Sequence, residues 1–161
     1  MHVLVRASAS LDDDAIAGDL GHSPAELVCL SFSDADLGAL AQAWQDQSRQ
    51  CQAPPTLRLA NLARLRHPMS VDLYLDGVIA KARCVIIRLL GGLDYWRYGA
   101  EEVASLCRAR GIALALLPGD GLPDPKLAGL STIPESIRAR LDACFRLGGK
   151  DNMACLLRLA G

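Results

Sequence analysis

Apolar and polar positions alternate in blocks along this chain. Five short apolar runs, His2–Arg6, Glu26–Phe32, Thr56–Asn61, Cys84–Leu90 and Ile112–Leu117, are separated by stretches in which apolar residues return every three or four positions. Several runs are near-continuous Val, Ile, Leu and Ala, the pattern of strands covered on both faces. The stretches between them predict amphipathic helices. From Ser70 onward, Val71, Tyr74, Leu75, Val78, Ile79 and Ala82 form one stripe. Val103, Leu106 and Cys107 form another, stopped by Gly111. Pro134 opens a helix with Ile137, Leu141, Cys144 and Phe145 on its buried face, and a last short helix runs through Met153–Leu157. Ser10–Asp13 and Ser33–Asp36 each place a capping hydroxyl ahead of an acidic side chain, so the Asp12-Asp13-Asp14 run reads as a helix first turn.

Strand–helix alternation predicts a three-layer α/β domain with a parallel sheet and helices on both faces. The expected architecture is flavodoxin-like, with five strands in the order 2-1-3-4-5 and residues 1–161 as a single α/β domain. A chain of this length buries about 70% of the surface exposed by its unfolded form, enough to stand on packing alone. In such sheets ligands bind outside the carboxyl ends of the strands. That rule gathers Asn61, His67, Gly91, Gly92, Tyr95, Trp96 and Arg97 on one edge as candidate ligand-binding residues. The segment Leu89–Gly99 stands out, because Tyr95, Trp96 and Tyr98 are three of only seven aromatics in the chain. The glycines allow close approach, the aromatics supply flat apolar surface, and Arg97 supplies a fixed charge. Such a loop serves either as the wall of a site for a large, flat, anionic ligand or as a contact with a neighbouring domain. His67 either faces a ligand or bonds to backbone. Ser31, Ser33, Asp34 and Asp36 are explained by capping without a nucleophile, and no catalytic residue is assigned. Arg88, inside a strand, requires an anion, most simply a structural carboxylate.

Composition narrows the function further. The formal net charge of −1 leaves no electrostatic footprint for nucleic acid or an anionic membrane, and no apolar run reaches the length of a membrane span. The six cysteines are spread singly with no CxxC, which points to thiols in a reducing cytoplasm. No secretory leader is evident. His2, His22 and His67 lack partners at metal-ligand spacing, so no metal site is expected. No GxGxxG follows a strand and no GxxxxGK[ST] occurs, which disfavours dinucleotide and P-loop nucleotide sites. The strand ends that would carry a phosphorelay Asp and Lys read Asn61 and Pro118-Gly119, and no Asp-x-His is present for a cobalamin loop. No cofactor is expected in this chain.

Several long strings resemble one family. Leu20-Gly21-His22-Ser23-Pro24-Ala25-Glu26-Leu27-Val28, Leu30–Leu37, Leu59–Leu62 with Leu65–Asp72, Arg88–Gly99, Leu116–Asp120 and Gly149–Met153 resemble, in order, the start of the CobN-type large subunit of aerobic cobaltochelatase, itself a relative of the magnesium chelatase large subunit. The resemblance implies the N-terminal domain of a much longer subunit. It further implies ATP-dependent insertion of cobalt into the corrinoid tetrapyrrole hydrogenobyrinic acid a,c-diamide in cobalamin biosynthesis, with ATP hydrolysed by AAA+ partner subunits. Cobalt and ATP then belong to the full complex, and the chelation residues to the remainder of the large subunit. Within that frame two roles stand open for this domain: contributing to tetrapyrrole binding, or docking on the rest of the chelatase. Read without the resemblance, the chain suits a stand-alone flavodoxin-like small-molecule-binding protein.

Overall fold

The computed structural model describes residues 17–161. Four parallel strands, β1 (Leu27–Ser31), β2 (Leu57–Asn61), β3 (Cys84–Leu89) and β4 (Ala113–Pro118), form one sheet in the order β2-β1-β3-β4. Helices α1 (Asp34–Ser48), α2 (Pro68–Gly77), α3 (Arg97–Arg110), α4 (Pro125–Leu130), α5 (Glu135–Leu147) and α6 (Lys150–Ala160) complete the domain.

The apolar runs become strands because both faces of the sheet are covered. Val28, Leu30, Val85, Ile87, Leu114 and Leu116 point into one core against α2 and α3, through Val71, Tyr74, Leu75, Ala100, Val103 and Cys107. Leu27, Cys29, Ile86, Ala115 and Leu117 point the other way, onto Leu40 of α1, Leu141 and Phe145 of α5, and Met153 and Leu156 of α6. The crossover from β1 to β2 moves in one direction and that from β2 to β3 in the other. Right-handed connections therefore place α1 and α2 on opposite faces.

The α/β class and parallel sheet match expectation, whereas the strand count and order do not. Among the described residues there are four strands, not five; the run His2–Arg6 and the Ser10–Asp13 cap lie outside them. The expected order set Thr56–Asn61 beside Cys84–Leu90. Instead β1 lies between them, paired with β2 through Leu27↔Leu57 and with β3 through Leu27↔Cys84. Burial explains this placement, since all five residues of β1 are buried and only a strand paired on both sides has no edge to expose. Helix α4 falls where the Pro/Gly-rich sequence suggests only a loop. It is started by Asp124, whose carboxylate accepts the Lys126 and Leu127 N–H groups, with Pro125 at its first position.

The outer edge of β4 is sealed by side chains. Thr132 Oγ1 accepts the Leu114 N–H at 2.8 Å and Ser131 Oγ accepts the Leu116 N–H at 2.9 Å, while the Thr132 N–H donates to the Leu114 carbonyl at 2.9 Å. Hydroxyls thus take the ladder positions that a further strand would occupy.

Candidate functional site at the carboxyl edge of the sheet

The strand order reverses between β1 and β3, and the carboxyl ends of these two strands carry a polar cluster. Arg88 Nη1 on β3 lies 3.0 Å from each carboxylate oxygen of Asp36 on α1. The buried Ser31 hydroxyl donates to Asp36 Oδ2 at 3.0 Å and accepts the Ser33 N–H at 3.0 Å. Ser33 in turn caps α1 by accepting the Asp36 N–H. The Phe145 ring covers the guanidinium, its centroid 5.1 Å away. Both charged side chains are largely withdrawn from water, at 13% and 16% exposure. Arg88 therefore has the structural carboxylate that its position demanded. Asp34 and Asp36 occupy the first turn of α1, at the positive end of its dipole.

The seven candidate residues do reach this edge, but most have internal work. Asn61 Oδ1 accepts the Ala63 N–H at 2.9 Å, and its amide nitrogen donates to Phe32 O and to Asp34. His67 is the cap of α2, its Nδ1 accepting the Met69 N–H at 3.1 Å. Trp96 is 5% exposed and belongs to the α2/α3 core, its indole N–H donating to Leu65 O at 2.8 Å. Its ring is not available as a wall. Arg97 bonds Asp94 through Nη2 and Glu101 through Nη1 on the surface, so its charge is balanced locally. Those contacts also explain the directions of titration: the hydrogen bond and charge of Arg97 hold the Asp94 carboxyl below its usual range. Of the seven, Tyr95 presents the most exposed ring, at 68%, and Tyr98 beside it is 41% exposed. Gly91 and Gly92 take φ of +87° and +83°, and a Cβ at Gly91 would lie 2.5 Å from the Tyr95 ring. The glycine is what lets that ring lie flat against the backbone.

Tyr95 has apolar company. Met69, Leu90, Leu122 and Leu147 are 56–75% exposed, and each lies in a loop or helix end on the carboxyl side of the sheet. Leu122 and Leu147 escaped sequence reasoning, although each adjoins a glycine turn, at Gly121 and Gly148. The open grooves of this structure lie away from this edge. One of about 470 Å³ runs between α2 and α3, lined by Asp72, Asp76 and Glu102. Another of about 280 Å³ sits by Cys84, Ala113, Ile137 and Leu159, at the opposite end of the strands. The carboxyl edge thus carries exposed apolar side chains among charged ones.

Among the described residues, the buried thiols are not poised as nucleophiles. Burial pushes the Cys84 thiol up to about 11 and the Cys107 thiol to about 12, and drives Cys29 upward as well. Among the described residues no group of three metal-ligating side chains converges, and no helix is long and apolar enough to cross a membrane.

The fold defines a parallel-sheet α/β domain with exposed apolar side chains at its carboxyl edge. No protein-family model matches the chain. The aerobic cobaltochelatase subunit CobN of Sinorhizobium sp is 37% identical over 160 residues, covering 99% of this chain and 12% of that protein. The CobN subunit of Pseudomonas aeruginosa is 40% identical over 153 residues, again 12% of its length. Among solved structures, the catalytic subunit of cobaltochelatase from Mycobacterium tuberculosis superposes with a TM-score of 0.63 and 28% identity over 83% of this chain and 10% of that one. The chain belongs to the CobN cobaltochelatase subunit family, as a segment spanning 12% of the length of the curated relatives.

Proposed function

We propose that this domain is a non-catalytic recognition module of a cobaltochelatase large subunit, docking through its carboxyl-edge rim on the remainder of that subunit. The observation that carries the reading is that Met69, Leu90, Tyr95, Leu122 and Leu147, all strongly exposed, lie in loops or helix ends on the carboxyl side of the sheet. Large apolar side chains exposed on one side of a domain suit a contact surface. Its loops are shaped by Gly91, Gly92, Gly121, Gly148 and Gly149, all at positive φ. In this frame the parent complex inserts cobalt into hydrogenobyrinic acid a,c-diamide, with ATP hydrolysed by AAA+ subunits. This domain holds the body of the subunit in place for them.

The test combines this chain with the remainder of a large subunit expressed separately. Leu90→Ser combined with Tyr95→Ser should weaken association by about tenfold or more, as loss of a central apolar anchor does. Association unchanged by the pair overturns the docking role. A second reading, contribution to the tetrapyrrole site, is favoured by the exposed Tyr95 ring seated on Gly91. Titrating hydrogenobyrinic acid a,c-diamide into the isolated chain and following the ligand's visible spectrum separates the two. A shift that Tyr95→Ser abolishes supports the corrinoid contact.

A further inference from the structure

Helix α3 presents a face that is its own complement. Glu101 and Glu102 stand in its first half and Arg108 and Arg110 in its last turn, all exposed, with exposed Ser105 and Ala109 on the stripe between them. Acid early and base late suits the helix dipole, and it also gives the face opposite charges at its two ends. At about 100° per residue, Glu101 and Arg108 fall on one flank of Ser105, and Glu102 and Arg110 on the other. Arg97 pairs with Glu101 within the chain at 3.3 Å, whereas Glu102 and Arg110 make no ion pair or side-chain hydrogen bond among the described residues. The groove of about 470 Å³ beside Glu102 adds Asp72 and Asp76 of α2, above Leu75, Leu106 and Ala109, and among the described residues no cation lines it. The Tyr98 hydroxyl donates to Asp72 at 2.7 Å and holds that carboxylate against α3.

We propose that this face is where two copies of the chain meet, α3 lying antiparallel against α3 of a second copy about a two-fold axis at Ser105. Glu102 and Arg108 are each three positions from Ser105, so such a crossing brings the acidic half of each helix level with the basic end of the other. On one flank Glu101 meets Arg108 of the second copy. On the other, Arg110 of the second copy reaches Glu102 and enters the groove toward Asp72, as the cation that the groove lacks. Two-fold symmetry repeats both pairs. A parallel crossing would set Glu against Glu and Arg against Arg, so charge selects the antiparallel one. Ser105 and Ala109 let the helix backbones approach, while Leu106 and the aliphatic stems of the arginines supply apolar contact. Ion pairs this exposed are individually weak and are screened by salt, so the copies pair at high concentration and part as salt rises.

Sedimentation velocity of the 161-residue chain at low salt, up to about 1 mM protein, tests this. The chain should pass from monomer to dimer as concentration rises, and the dimer should loosen when salt is added. Arg110→Glu and Glu102→Arg should each weaken self-association by about tenfold or more, because each sets like charges together twice. Both positions are exposed, and circular dichroism checks that the variants stay folded. Mixed in equal amounts, the two variants should associate again as a mixed pair. In that pair Glu102→Arg of one copy faces Arg110→Glu of the other, and the native Glu102 faces the native Arg110. A monomer throughout the range overturns the proposal. So does a dimer that neither variant weakens, and so do weakened variants that mixing does not restore.

Discussion

The indole N–H of Trp96 donates to the main-chain carbonyl of Leu65 at 2.8 Å, across 31 positions of sequence. This bond ties the entrance of α3 to the short turn Leu62–Leu65 that follows β2. Gly99 completes the seat, since a Cβ there would overlap the Trp96 ring. Trp96→Phe leaves the Leu65 carbonyl unsatisfied in a buried place and should cost about 1–3 kcal/mol in urea unfolding. Gly99→Ala should destabilise as well, by forcing the ring from its seat.

Arg88 and Asp36 form a pair that is nearly dry, so removing one partner strands the other. Arg88→Met should lower stability by about 3 kcal/mol, because the Asp36 carboxylate loses its charge partner while keeping only the Ser31 hydroxyl. Adding Asp36→Leu should recover much of that loss. A double-mutant cycle by denaturant titration measures the coupling, and simple additivity of the two changes would contradict this account.

His22 gives the domain a pH dependence of predictable sign. Its Nδ1 lies 3.3 Å from the Tyr74 hydroxyl, and burial, then Arg58 and Arg64, hold its pKa below the ordinary 6.5, against the opposing pull of Asp19. The folded state therefore resists a proton that the unfolded chain accepts. Its contribution is whole above about pH 6.5 and is lost as pH falls below that value. Stability measured from about pH 7 to 5 should decline, and His22→Gln should flatten the decline.

The hydroxyl of Thr132 accepts from Leu114 N–H and donates to the Ile112 carbonyl at 2.9 Å. Thr132→Val keeps the shape and removes both bonds. Stability should drop by about 1 kcal/mol, and hydrogen exchange at the Leu114 amide should accelerate by about an order of magnitude.

The four strands β1, β2, β3 and β4 were legible as short apolar runs, although Arg58 interrupts β2 and Arg88 interrupts β3. The stops and starts that have local chemistry were legible too, such as Ser33 before α1 and Gly111, at φ +68°, after α3. Strand order was not legible. Any of the apolar runs could occupy the centre, and only pairing on both sides of Leu27–Ser31 decides it. The site was readable as an edge but not as a set of roles. Tyr95 and Trp96 are adjacent aromatics with similar chemistry, yet one lies on the surface and the other in the core. The difference is made by the Leu65 carbonyl, which no local pattern announces. Asn61 and His67 likewise look like ligand groups until their cap bonds to Ala63 and Met69 are seen.

The hydroxyls of Ser131 and Thr132 along β4 also govern how copies of this domain can meet. Joining sheets edge to edge consumes one open edge from each copy, and endless growth needs every copy to offer two. With the β4 side filled from within, a copy has at most its β2 side to give. Among the described residues, strand pairing between copies is therefore confined to the β2 side, which favours a closed pair over an open-ended stack.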